Sequence, residues 1–238
     1  MRLGVMLPTF RHTPRAALES AARAADEGLD GVFAYDHLWP MGSPERPALA
    51  PFEVLAAVAS RTPSLVVGTL VARVGLVSDE VLLSQVRALR IVAGGRVIAA
   101  LGTGDKLSRE ENLAYGIDYA LPDDRRAALR AVAQALVDEG TEVWIGDGAP
   151  ATRAVAADVG CTQNLWDATT AEVAALAGSV AVSWAGPTPA RDGIVDEAST
   201  RTLLEGLEAA GATWAVFGAP APIEALARLR APHADAPQ

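Results

Sequence analysis

The chain carries three histidines, and one of them, His37, follows Asp36 where the apolar run GVFAYD (31–36) gives way to HLWPMG. An imidazole titrates close to neutral pH, and a neighbouring carboxylate can orient it and stabilise its charged form. The pair therefore suits a general base that takes a proton from a hydroxyl. A structural use is also open, with Asp36 accepting a loop hydrogen bond and His37 packing at the surface. A second cluster, LGTGDKLSREEN (101–112), sets Gly102, Thr103 and Gly104 ahead of Asp105. Glycines let a backbone approach a ligand closely, and Asp105 is the first acid beyond the apolar run. The spacing is not the six-position dinucleotide fingerprint, and a plain turn with a solvated Asp105–Lys106 pair reads the same way. A third stretch, GDGAPATRAV (146–155), places Gly146 and Gly148 before Pro150, a residue suited to a helix start. Free N–H groups at such a start can hold an anion, although an ordinary tight turn accounts for the stretch equally well. Arg11 and His12 close the run TFRH, and Trp39 and Trp184 stand as pocket walls or as core.

All of these residues fall at one kind of position. Short runs rich in Val, Ile and Leu recur at 2–7, 31–36, 65–71, 96–102, 142–147, 161–166, 180–185 and 214–219. Most are continuous rather than alternating, as expected of strands covered on both faces. Helical patterns separate them. The first has Thr13 as a candidate cap, Pro14 at its first position, Gly28 past its end, and Ala17, Leu18, Ala21, Ala25 and Leu29 on one face. Further helices are expected over 80–93, 123–139 and 199–210, with a last one from Pro222. Such alternation means parallel strands joined by right-handed crossovers, and eight units predict a (β/α)8 TIM barrel, with an open doubly wound sheet as the alternative. One domain over 1–230 is expected, with 231–238 as a frayed tail. In such barrels chemistry sits where strands end, which is where Asp36, His37, Asp105 and the glycine turns lie.

Composition narrows the function. A formal net charge of −9 with scattered basic residues, and no basic stripe with stacking aromatics, argues against nucleic-acid binding. Cys161 is the single cysteine, so no disulfide forms within the chain, which fits a reducing compartment. The apolar stretch LVVGTLVARVGLV is cut by Arg73, and the N-terminal run is short and broken by Pro8, so a soluble, cytoplasmic protein is expected. Lys106 is the only lysine and hence the only candidate for Schiff-base chemistry.

In order along the chain, LGVMLPT, GVFAYDHL, VVGTLVARV, GGRVIAALGTGDKLSREE, VWIGDGAPATRAVAADVG and LEAAGATWAVFGAP resemble the luciferase-like flavin and deazaflavin oxidoreductases. The likeness is nearest to the branch that uses coenzyme F420, including its sugar-phosphate dehydrogenase. The resemblance implies a (β/α)8 barrel with the cofactor ring across the strand ends, and FMN as the alternative cofactor. It implies that Asp36 and His37 lie beside the ring as catalytic residues, Asp36 also contacting the cofactor and His37 serving as the general base, and that Asp105 matches an acid near the proton-transfer position. Thr69, Leu70 and Val71 would back the ring, with a bulge and a non-prolyl cis peptide at Leu70–Val71. Gly102, Thr103 and Gly104 would border the ring, and Gly146 and Gly148 would hold the cofactor phosphate. Hydride transfer then needs the substrate carbon above the ring and a base for the alcohol proton.

The departures from that pattern are specific. The chain is short and insertion-poor, SDE (78–80) replaces the usual His-Pro, and Ala149 replaces a capping Ser. Asp147 interrupts a Gly-Gly pair and brings negative charge near a phosphate. Lysines for a sugar phosphate have no counterparts, so the expected substrate is a small neutral or apolar molecule. The expected activity is hydride transfer between F420, or FMN, and that molecule, with a homodimer possible. The rival readings are a degenerate barrel that binds a ligand without redox chemistry, a metal-dependent isomerase or hydrolase built on Asp36, His37, Asp105 and Asp147, and a lyase acting through Lys106. No resident metal is expected.

Overall fold

The apolar runs become parallel strands in a computed structural model that describes residues 1–40 and 42–230. They are β1 (Arg2–Met6), β2 (Gly31–Ala34), β3 (Val66–Arg73), β4 (Val97–Gly102), β5 (Glu142–Ile145), β6 (Thr162–Trp166) and β7 (Val182–Gly186). A short antiparallel hairpin of β8 (Ala190–Arg191) and β9 (Ile194–Val195) precedes β10 (Ala212–Phe217). Because β1 pairs with both β2 and β10, the sheet closes in the order β1-β2-β3-β4-β5-β6-β7-β10. This is the expected (β/α)8 barrel.

Around it run α1 (Arg15–Asp26), α2 (Pro51–Arg61), α3 (Asp79–Val92), α4 (Lys106–Ala114), α5 (Pro122–Asp138), α6 (Pro150–Val159), α7 (Thr170–Ala177), α8 (Glu197–Ala209) and α9 (Ile223–Leu229). Helix α3 shows how they attach. Ser78 caps it by accepting from the Val81 N–H, and Leu82, Leu83, Val86 and Leu89 are buried against the sheet. Burying each such side chain contributes about 1.5–3 kcal/mol.

Four expectations shift. Pro14, not Thr13, occupies the N-cap of α1, and no side chain caps it. Strand β2 ends at Ala34, two residues early, which leaves Tyr35 and Asp36 in the loop. Strand β3 continues two residues further than expected, to Arg73, while the expected bulge, between Thr69 and Ala72, and the expected cis peptide at Leu70–Val71 are both present. The stretch expected as a rim loop becomes helical from Lys106 onward. The expected tail, 231–238, lies outside the described residues.

The barrel interior is uneven. Its lower part is filled by Phe33, Trp144 and Trp214, whose ring centroids lie 5.3–5.8 Å apart. Glycines on three strands make the room. A Cβ at Gly4 or Gly68 would lie 2.8 Å from the Phe33 ring, and one at Gly31 would lie 3.1 Å from Trp214. Toward the strand C-termini the inward positions turn small, with Ala100, Ala185, Gly102, Gly146 and Gly218. The bottom is plugged, and toward the mouth Gly102 and Gly146 make room for the Val71 side chain.

Candidate active site at the barrel mouth

Asp36 ties two strand ends together. Its Oδ2 accepts from the Arg73 backbone N–H at 2.9 Å. Burial raises its pKa above the ordinary aspartate value, and the N–H and charge of Arg73 oppose the rise. His37 follows and turns toward α4, where its Nδ1 lies 2.7 Å from Oε1 of Glu111. The other carboxylate oxygen accepts from the Leu38 N–H at 3.1 Å and from the Arg73 guanidinium at 2.8 Å. Glu111 and Arg73 are 1% and 3% exposed, so two full charges are held inside the protein. Burial by itself pushes Glu111 upward. The hydrogen bond and charge of His37, the Leu38 N–H and Arg73 outweigh it and hold the carboxyl below the ordinary glutamate range.

An ionised Glu111 can only accept a hydrogen bond, so Nδ1 carries the proton and donates to it, which leaves Nε2 as the basic nitrogen. Gly104 makes the packing possible. Its φ is +70°, and a Cβ there would lie 2.8 Å from Arg73 Cδ and 2.9 Å from Ser108 Cβ.

Glu111 is the member of this network that sequence reading missed. Helix α4 buries Ser108, Glu111 and Asn112, a polar face at helical spacing that hydrophobic periodicity does not register. The available signal was Arg73, a charge inside an apolar run, since a buried charge demands a partner. Asp105 is engaged locally. It caps α4 in a reciprocal box, with Oδ1 accepting from the Ser108 N–H at 2.8 Å and from its hydroxyl at 3.0 Å. Burial raises its pKa, but these bonds, the Leu107 N–H and the charge of His37 bring it below the ordinary value.

His37 borders two cavities. One, of about 400 Å³, lies at the mouth between Leu7, Pro8, Phe10, Tyr35, Trp166 and Ala219–Pro220, with the exposed Arg11 and Arg46 completing its lining. Phe10 stacks on Tyr35 at 5.6 Å, and burial pushes the Tyr35 phenol up. The other, of about 380 Å³, lies outward among Phe52, Leu76, Leu82 and Tyr115. The half-buried Val71 stands between Gly102 and Gly146, where added Cβ atoms would come within 2.6 and 2.7 Å of its methyl groups. Thr69 gives its hydroxyl to the Ala100 carbonyl at 2.9 Å, and the Thr103 hydroxyl lies 3.5 Å from the Gly104 carbonyl.

Other candidates fall elsewhere. Trp184 is buried outside the barrel against Phe217, its Nε1–H donating to the Ala168 carbonyl, and Trp39 stacks on Tyr115. Lys106 opens α4 in solvent, and Arg11 and His12 are exposed. Among the described residues no three His, Cys, Asp or Glu side chains group as a metal site. Nor, among them, is any helix long and apolar enough to cross a membrane.

Residues 1–184 match the family model of luciferase-like monooxygenases. The chain belongs to that family. Among curated relatives of this luciferase-like chain is the F420-dependent glucose-6-phosphate dehydrogenase of Kribbella flavida, 28% identical over 153 residues, or 63% of this chain and 45% of the relative. The protein of the same name from Amycolatopsis mediterranei is 28% identical over 62% of this chain and 43% of its own length. The chain thus spans less than half the length of the curated relatives it matches. Among solved structures, an F420-dependent secondary alcohol dehydrogenase in complex with an F420-acetone adduct superposes with a TM-score of 0.78 at 14% identity, covering 96% of this chain and 98% of the other. The coenzyme F420 dependent tetrahydromethanopterin reductase of Methanopyrus kandleri gives 0.74 at 14% identity, over 98% and 99%. At these identities the likeness establishes the shared barrel.

The cofactor those names imply is a ring system bearing a phosphate, and the luciferase-like mouth suits its two parts differently. The aromatic and apolar walls of Phe10, Tyr35, Trp166 and Leu7 suit a flat ring. The turn after β5 does not suit the phosphate. Its Gly148 N–H donates at 2.7 Å to Oδ1 of Asp147, and Arg153 pairs with the same oxygen.

Proposed function

We propose that the chain is an oxidoreductase that uses coenzyme F420, with FMN as the next candidate, on a small neutral or apolar substrate. Family membership and the F420-dependent names of the curated relatives support the cofactor class. The observation that carries the reading is His37 at the rim of an apolar, aromatic mouth, its Nδ1 bonded to the buried Glu111. A deazaflavin, when bound, supplies the acceptor or donor of a hydride.

The chain's own residues handle the rest. Phe10, Tyr35 and Trp166 exclude water from the reacting end of the substrate. With Nδ1–H donated to Glu111, Nε2 of His37 takes the hydroxyl proton as an alcohol is oxidised and returns it in the reverse direction. The charge that develops on the ring is stabilised by Glu111, which Arg73 and the Leu38 N–H hold in place. Asp36 fixes the end of β3 beside it. Asp105 acts by capping α4, the helix that carries Glu111.

The test is a titration of the purified protein with F420 and with FMN, followed by fluorescence. Saturable binding of one of them at micromolar concentration is expected, and no binding of either, nor of their dephosphorylated forms, rejects the cofactor assignment. The filled turn after β5 favours a second reading, a barrel that binds a ligand without redox chemistry. Cofactor binding with no hydride exchange across a panel of small alcohols would select it.

A further inference from the structure

We propose that Asp147 is a built-in occupant of the turn after β5, and that it turns this chain away from a cofactor phosphate there. A flavin or deazaflavin with an unphosphorylated side chain would then bind at least as well as its phosphate ester. The inference rests on the proposed cofactor class.

The Asp147 carboxylate already engages the Gly148 and Trp166 N–H groups and the Arg153 guanidinium at this turn. The Gly148 N–H donates to Oδ1 at 2.7 Å, and the Trp166 N–H, at the end of the next strand, donates to Oδ2 at 3.3 Å. The Arg153 guanidinium lies 2.9 Å from Oδ1 through Nε and 2.7 Å through its terminal nitrogen. The carboxylate therefore bridges β5, β6 and α6 in the manner of a bound anion. Ala149 brings no side-chain donor, and Pro150 has no N–H to offer. A phosphate arriving here would have to displace Asp147 and would still face its negative charge. An uncharged side chain needs none of these donors and meets no repulsion.

The test compares two matched pairs of probes, a deazaflavin riboside with its 5′-phosphate and riboflavin with FMN. Each is titrated by fluorescence into the wild-type protein, Asp147→Gly and Asp147→Asn. The asparagine variant keeps the shape of the turn while removing the charge, so the answer does not depend on how the glycine variant folds. The wild type is expected to bind the unphosphorylated member at least as tightly. Both variants should tighten the phosphate ester by about tenfold or more and leave its partner unchanged. A wild-type preference of tenfold or more for the ester, persisting unchanged in both variants, overturns the inference and leaves the proposed function standing. If no probe binds any of the three proteins, the proposed function fails instead. Calorimetry with inorganic phosphate then still decides the inference, since a gain of affinity in the variants supports it and no gain overturns it.

Discussion

On the β2–β4 side of the rim, Arg73 and Glu111 carry full charges almost sealed from solvent, whereas on the β5–β6 side Asp147 and Arg153 meet in the open. The first network joins the loop after β2, the end of β3 and the inner face of α4, and its hydrogen-bonded pairs lie 37 to 74 residues apart. The second is largely local, closed between a residue, its successor and one turn of the following helix. Burying charges is costly unless every partner is present, so the first network holds one arrangement of His37 and loses it if any member goes. The exposed pair imposes no such demand. It occupies the turn after β5. The contrast teaches where the chain commits rigidity, at His37 and not at the turn after β5.

The most damaging way to probe that contrast is Glu111→Ala, which leaves Arg73 buried without its counter-charge. Denaturant unfolding should show a loss of about 3–5 kcal/mol. A loss under about 1 kcal/mol, the value of a surface pair, would erase the difference between the two sides.

His37→Ala separates chemistry from scaffold. Turnover on a responsive alcohol should fall about 10²- to 10⁴-fold while cofactor affinity holds, and unchanged turnover would remove the imidazole from the reaction.

Acidification acts on the buried side in a fixed direction. Glu111 and Asp105 have folded pKa values below their unfolded ones, so each stabilises the fold above the ordinary carboxylate value and ceases to as pH falls through its lowered value. Asp36, raised by burial, runs the opposite way and offsets part of that loss. Glu111→Gln should flatten the acid limb of stability against pH, measured by unfolding below about pH 5. A limb as steep as the wild type's would place the acid sensitivity elsewhere.

The smallest effect belongs to the exposed side. Arg153→Ala should change stability by no more than about 1 kcal/mol in thermal unfolding. A larger loss would mean that the turn is structural.

The barrel was legible because strands covered on both faces read as unbroken apolar runs, and each run ended near the true rim. His37 was legible for the same reason, since it stands where such a run stops. Its partner was not. Glu111 sits 74 residues away on a helix whose inward face is polar, so no apolar stripe announced α4. Arg73 read only as an interruption of a long apolar stretch, because its meaning depends on a contact that local sequence does not encode. The Thr13 cap failed because Pro14 took the cap position itself. Asp147 was visible as an intrusion, but its bonds to the Trp166 N–H and to Arg153 emerged only with the fold.

With only three histidines in the chain, the tautomer of His37 can be read directly by nitrogen-15 correlation spectroscopy at pH 8. The clamp described above demands hydrogen on Nδ1 and a bare Nε2, a pattern that should weaken in Glu111→Gln. A ring protonated on Nε2, with Nδ1 bare in the wild type, would contradict it.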